Sequence, residues 1–362
     1  MDKRDKSKPK PAGIKEIATA LGISIGTVDR ALHGRSGVSP KTRAKVLKVA
    51  ESLNYRPNLA ARSLKLNRTL RIAVHLPRQI ASFFSPLAEG IRSAAAAHAL
   101  NVELDFRTFP RLGDGDIELL KKDAGRGYDG IILTPGNPAS IDPLIRLITQ
   151  QGTAVVCVAS DAPRTDRIAG ISVDAAVSGG IAAEMLGRTI FRKGTVATIT
   201  GDLNTLDHAE KLRGFAATLA TLAPHLTLMP AIESHESPKE AYAATLDLLA
   251  REPGLAGIYI STANSLPVLR ALQEHKQLKQ VRIITTDLFP ELLPLLESGG
   301  ILATLYQRPF TQGKVAFETL TQYLLEGIRP PSSTRLAPHI VLRSNLPLFL
   351  GRLSSGESGE RS

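Results

Sequence analysis

IKEIATALGISIGTVDRALHGRSGVSPKTRAKVLKVAESLNYRPNLAARSL, residues 14–64, carries helix-length apolar patterns separated by turn residues. In the first, Ile14, Ile17, Ala18 and Leu21 share one face of a short helix, and Gly22 stops it. Ser24 is an N-cap for a second helix that ends near Leu32. Helix, Gly-containing turn and helix form a helix-turn-helix pattern. Val28, Ala31 and Leu32 face its core. Ser24, Ile25, Gly26, Thr27, Asp29 and Arg30 then lie toward the outside, where a recognition helix presents side chains to base edges. A third helix starts with Ser39 as N-cap and Pro40 at the first helical position. Its apolar stripe is Val46, Val49, Ala50 and Leu53; Lys41, Arg43, Lys45 and Lys48 make a basic face. Arg56 precedes a proline and favours extended backbone. Asn58 then caps a two-turn helix, Leu59 to Lys65, which is marginal on its own in water.

The charge agrees with a nucleic-acid partner for this segment. The chain has 362 residues and a formal net charge of +11. Residues 1–70 hold sixteen Lys and Arg against five acids, whereas the rest is balanced at 29 of each. A basic module fit for a polyanion is thus joined to a neutral body. Residues 1–12 read as a disordered basic tail.

The spaced signatures TV-x-R-x-L, VS-x-KTR-x-K-V, LNY-x-PN and AR-x-L make residues 14–64 similar to the DNA-binding headpiece and hinge of the lactose-repressor (LacI) family of bacterial regulators. The resemblance implies a DNA-binding domain over 13–56, a hinge helix and linker over 57–69, and double-stranded operator DNA as partner. It places Thr27 and Arg30 on the recognition helix, Arg30 donating to guanine or to phosphate. Ile25 and Gly26 fall where the family sets specificity. Ile25 offers only apolar contact, for example to a thymine methyl, and Gly26 costs its helix about 1 kcal/mol against alanine. Base reading therefore passes to Ser24, Asp29 or Arg30, or to close backbone approach. His33, Asn58, Ala61 and Arg62 complete the implied DNA-binding set. Leu64 falls where the family drives a leucine wedge into the minor groove; packing against the body is the alternative.

From Leu70 the chain alternates strand-like and helix-like stretches, which implies parallel sheets covered by helices. Some 280 residues of this pattern suit two lobes: about 70–172 with 304–330, and about 173–303 with 331–350. Residues 351–362 read as a second disordered tail, without the leucine heptads of a tetramerising coil. The stretches DGIILTP, VASDAP, ISVD-x-x-x-x-G, LRGF, ITTD and YQRPFTQG resemble the two-lobed fold of periplasmic sugar-binding proteins that the same family carries. The expected fold class is therefore an all-α helix-turn-helix headpiece on an α/β body shaped like a periplasmic binding protein. By that resemblance Asp161, Asn264, Asp287 and Gln307 hydrogen-bond the hydroxyls of a sugar or polyol effector, and Phe83 or Phe84 stacks on its ring. The family's usual arginine three residues before the glycine of LRGF is Lys211 here. Lysine lacks the bidentate fork, so either ligand choice differs or Lys211 makes a salt bridge instead.

No run of 18 apolar residues is present, no secretory leader pattern precedes Ile14, and Cys157 is the only cysteine. These features point to a cytoplasmic protein without disulfides or a thiolate metal cluster. No H-x-x-x-H, G-x-S-x-G or phosphate-loop signature occurs, so neither an enzyme nor a cofactor is expected. Two readings compete: a transport-type sugar-binding protein, which calls for a signal peptide and no basic headpiece, and an enzyme on the same two-lobed scaffold, which fold alone does not exclude but no residue constellation supports. The expectation is a homodimeric, ligand-controlled repressor.

Overall fold

Gly13 N–H donates to Glu16 Oε2 at 2.8 Å and opens helix α1 (Ile14–Leu21). The computed structural model describes residues 13–32, 36–53, 55, 69–98 and 101–349. The residue tails 1–12 and 351–362, most of 57–69, and the candidates His33, Asn58, Ala61, Arg62 and Leu64 lie outside them. Gly22 ends α1 in the left-handed region at φ 61°, and no atom crowds the place of its missing Cβ. The turn thus needs glycine for its backbone angle and not for space. Ser24 Oγ accepts from Thr27 N–H at 3.1 Å to start α2 (Ile25–Leu32). Ser39 does the same for Thr42 N–H, with Pro40 first in α3 (Pro40–Ser52). Ile17, Ala18, Val28, Ala31, Val46 and Ala50 form the buried centre of the three helices, flanked by Ile14, Leu21, Val49 and Tyr55.

The larger unit begins at Leu70. Its strands are β1 (Leu70–Pro77), β2 (Val102–Phe109), β3 (Gly130–Leu133), β4 (Ala154–Val158), β5 (Ala169–Val173), β6 (Gly194–Thr200), β7 (Leu226–Leu228), β8 (Ile232–Glu233), β9 (Leu255–Ile260), β10 (Arg282–Thr286), β11 (Ala303–Tyr306), β12 (Ser333–Leu336) and β13 (His339–Val341). Its helices are α4 (Ala81–Ala97), α5 (Asp116–Asp123), α6 (Pro138–Gln150), α7 (Ala175–Thr189), α8 (Leu206–Leu222), α9 (Pro238–Arg251), α10 (Leu266–Glu274), α11 (Leu293–Glu297) and α12 (Pro309–Glu326). One sheet runs β12-β5-β4-β3-β1-β2 and the other β13-β11-β10-β9-β6-β7, with β8 also on β6. All described pairings are parallel except β11 with β13. Every residue of β3, β4 and β9 is buried, as strands covered by helices on both faces require.

The expected division into lobes needs correction at two crossings. β11 pairs with β10 in the second sheet, so the chain leaves that lobe after Tyr306 and not before residue 304. β12 pairs with β5 in the first sheet, so the last crossing falls between Leu336 and His339 and not at residue 331. Parallel pairing decides both, because an added strand must find an open edge of a sheet. α4 begins at Ala81, and Pro86 lies inside the helix. α12 was not anticipated at all. It packs on α4, where a Cβ on Gly313 would meet Leu87 O at 2.0 Å. The same close approach joins α7 and α8: a Cβ on Gly179 would lie 1.9 Å from Lys211 O. That contact fixes the rotation of α8 and so the direction of its functional side chains.

Candidate ligand cleft and nucleic-acid surface

The carboxyl ends of strands from both sheets meet around a cleft. Ile80 follows β1, Leu112 follows β2, Thr134 follows β3, and Ala159 and Ser160 follow β4. From the second lobe come Thr205, Asp207, His208 and Lys211 around the start of α8, Glu236 after β8, Thr262 and Ala263 after β9, Asp287 after β10 and Gln307 after β11. This is where open α/β sheets hold ligands. Phe83 and Phe84 supply an apolar wall, edge to face with centroids 4.9 Å apart. They reach the cleft because α4 starts before Pro86 and places them on its first turn.

Three polar groups organise the second-lobe wall. Lys211 Nζ lies 2.6 Å from Asp207 Oδ2 and donates to Ser261 O at 3.3 Å. Glu236 Oε2 accepts from Thr262 Oγ1 at 2.6 Å, while His208 Nε2 stands 3.1 Å from Glu236 Oε1. His208 Nδ1 is 3.2 Å from Thr200 Oγ1, which fixes the ring. Gln307 donates to Asp287 twice, from its backbone N–H at 3.1 Å and from Nε2 at 2.7 Å. Thr134 Oγ1, Ser160 Oγ and Asp207 Oδ1 line the cleft yet have no hydrogen-bond partner among the described residues. Buried polar atoms are usually paired, so these three are open to a polar ligand.

Burial raises the Asp287 carboxyl to about 6, against the opposing pull of Lys211 and of the two Gln307 hydrogen bonds. For the Lys211 ammonium, burial works to lower the pKa, but Asp207, Tyr259 and Asp287 together outweigh it and hold the group above its ordinary value. Lys211 is therefore a permanent cation among carboxylates. The backbone at the rim is strained: Ile80, Ala159, Glu236 and Asp287 all have φ between 54° and 67°. Non-glycine residues rarely adopt this region, and such strain gathers at functional sites.

Of the residues expected in the cleft, Phe83, Phe84, Lys211, Asp287 and Gln307 line it. Lys211 makes the salt bridge that was the alternative to ligand contact. Asp161 does not line it. Its carboxylate is gripped by Arg167 and by the Ala162 N–H, and it sits where a Cβ on Gly170 would be. Its neighbour Ser160 faces the cleft instead. Asn264 is also outside the lining, because its N–H caps Thr262 Oγ1 in a tight turn that leaves Thr262 and Ala263 toward the cleft. His208 and Glu236 were missed. His208 and Lys211 share a helix face, a spacing open to sequence reading. Glu236 follows a strand of only two residues, too short to carry a period.

In the N-terminal unit Ser24, Ile25, Gly26 and Arg30 are exposed on the first turns of α2, and Thr27 is half-buried. Ile25 keeps 49% of its surface open, a large apolar group that no packing explains. Lys41, Arg43, Lys45 and Lys48 are exposed along α3. Among the described residues no group of three His, Cys, Asp or Glu could hold a metal ion. Burial, followed by the nearby Asp161, pushes the Cys157 thiol far above its ordinary value.

The family described as bacterial regulatory proteins, lacI family, matches residues 13–58, and the periplasmic binding protein domain matches residues 72–327. Catabolite control protein A of Priestia megaterium is 26% identical over 339 residues, covering 92% of this chain and 98% of that protein. The HTH-type transcriptional repressor PurR of Aliivibrio fischeri is 24% identical over 353 residues, with the same two shares. GanP, a glucose-galactose binding protein from Geobacillus stearothermophilus, superposes with a TM-score of 0.72 at 25% identity, over 77% of this chain and 99% of its own. The chain belongs to the periplasmic-binding-protein domain family and, with its lacI-type N-terminal domain, is a DNA-binding regulator with a ligand-binding domain.

Proposed function

We propose that the chain is a repressor that binds operator DNA as a homodimer and is controlled by a sugar or polyol held between its two lobes. The observation that carries this reading is the cleft itself. Apolar Phe83 and Phe84 face a wall of carboxylates, hydroxyls and a buried ammonium, with Thr134 Oγ1, Ser160 Oγ and Asp207 Oδ1 unpaired. An apolar face opposite a polar one suits a ring with hydroxyls at its edge. Asp287 and Gln307 serve as ligand contacts, joined by His208, Glu236, Thr262 and Ser160, while Lys211 holds Asp207 in place beside them. The likeness to a glucose-galactose binding protein supports a hexose-sized ring.

On the DNA side, Ser24, Ile25, Gly26, Thr27 and Arg30 enter the major groove, and the basic face of α3 follows the phosphates. His33, Asn58, Ala61 and Arg62 add contacts, and Leu64 wedges the minor groove. Ligand binding changes the arrangement of the lobes and through it the DNA affinity, a coupling of about 1–3 kcal/mol. The chain acts in the cytoplasm and performs no catalysis; the buried, protonated thiol of Cys157 is no nucleophile.

A thermal-shift screen of the full chain against pentoses, hexoses and sugar alcohols tests the cleft. A ligand at about 100 times its Kd adds near 2.7 kcal/mol of stability. The expected hit is lost in Asp287→Ala, which keeps its DNA binding. A hit of equal strength in Asp287→Ala contradicts the placement of the ligand.

A further inference from the structure

We propose that the effector is a neutral glycan of two rings, the first stacked on Phe83 and Phe84 and the second held in an adjoining chamber beyond Glu236 and His208. The inference rests on the polyol reading of the cleft and deepens it.

The cleft does not end at the Glu236–His208 pair. Leu112, Thr205, His208 and Glu236 line both it and a second space of about 290 Å³. The further walls of that space are Arg111, Gly113 and Asp114 from the loop after β2 of the first lobe, and Asp202, His235 and Glu240 from the second. The two chambers differ in chemistry. The first has two phenylalanines. The second has no Phe, Tyr or Trp in its lining, and nearly every wall residue carries a hydrogen-bonding side chain. It therefore binds hydroxyls by their edges and does not stack a ring.

Its charge selects further. Asp114, Asp202, Glu236 and Glu240 face the space, against Arg111 as the one side chain there that is always cationic. Arg111 is already engaged with Asp114 at 3.3 Å, and the His235 ring with Glu240 at 2.9 Å. A phosphate or uronate would meet four carboxylates with little to compensate. Uncharged hydroxyls meet acceptors that are already oriented.

The junction is a strained turn that the first lobe also holds, because the Glu236 carbonyl accepts from Gln79 Nε2. His235 and Glu236 are consecutive non-glycine residues at φ 48° and 54°, anchored by the Ser234 hydroxyl on Thr200 O at 2.7 Å. Gly201 leaves room for the pair: a Cβ there would lie 2.1 Å from Glu236 Oε1 and 2.6 Å from His208 Nε2. Glu236 Oε1, with His208 Nε2 at 3.1 Å as its one close partner, stands between the chambers and keeps a lone pair for the link region of a disaccharide. A ligand of two rings would touch the 111–114 loop and the 235–240 segment at once. It would thus have more differential contact with a closed arrangement of the lobes than a single ring has.

The test is titration calorimetry on the full-length protein, at neutral pH, with glucose, galactose and glucose 6-phosphate and with the disaccharides maltose, cellobiose, lactose and melibiose. The expected result is a disaccharide that binds at least tenfold more tightly than either of its component sugars, with no gain from the phosphate. Glu240→Gln and Asp114→Asn should each weaken that disaccharide about fivefold or more and leave its component sugar within twofold. A monosaccharide that binds as tightly as every disaccharide containing it overturns the second ring. Disaccharide binding that ignores both variants overturns its placement in the second chamber. Silence from all seven compounds overturns the polyol cleft, and this inference with it.

Discussion

Lys211→Met removes the one ammonium from a buried cluster of carboxylates. Lys211 is 1% exposed and its partner Asp207 12% exposed, at 2.6 Å. The methionine fills most of the same volume, so the cost is electrostatic and not a cavity. Breaking a buried pair from one side leaves an uncompensated charge and costs about 3–5 kcal/mol. The loss also falls on Asp287, whose carboxyl near 6 is held down in part by the Lys211 charge and would move higher. The second substitution Asp207→Asn removes the stranded charge, so the double variant should recover most of the stability and lie within about 2 kcal/mol of the parent. The chain has no tryptophan, so urea unfolding is followed by far-ultraviolet circular dichroism. A single variant within about 1 kcal/mol of the parent, or a double variant no more stable than Lys211→Met, refutes the reasoning.

Three further outcomes are expected. Because burial raises the Asp287 carboxyl from 3.8 to about 6, the native protein holds its proton longer than the unfolded chain does. Stability should therefore fall by about 3 kcal/mol as pH rises from about 4 to about 6. Ligand affinity should rise through about 6 as the carboxylate becomes an acceptor; Asp287→Asn should flatten both profiles, and unchanged profiles would contradict the assignment. Asp161→Asn should destabilise the body by about 3 kcal/mol, because Arg167 is 4% exposed and loses its carboxylate, while ligand affinity stays the same in calorimetry. Arg30→Ala should weaken DNA binding. If Arg30 contacts phosphate, the slope of log affinity against log salt also shrinks by about 0.9; affinity equal to that of the parent removes Arg30 from the interface.

The headpiece was legible almost residue by residue, because its signals are local. Ser24 and Ser39 cap, Pro40 opens a helix, and Gly22 takes a left-handed turn, each decided by neighbours within four positions. The body was legible as alternation but not as connection. Nothing within β11 or β12 says which sheet has an open edge, so the lobe crossings were misplaced. α12 passed unseen although Phe317, Leu320 and Thr321 are all buried on it, because Gly313 and the polar residues of its first turns blur the apolar stripe. The cleft depends on what long-range partners leave free. Asp161 and Asp287 follow strand ends in similar contexts, but Arg167 takes up the first while Gln307 holds the second toward the cleft. His208 and Glu236 come from different elements, and only the fold brings them to 3.1 Å.

One chain is expected to couple DNA binding to occupancy of the cleft. The most direct test is selection of bound duplexes from a random library by the full-length protein. Anisotropy titration of the enriched duplex then follows, with and without the tightest sugar from the calorimetric panel. The account predicts enrichment of an inverted repeat and a change of at least fivefold in DNA affinity on adding the sugar. No enriched sequence, or equal affinity with the cleft saturated, would contradict it.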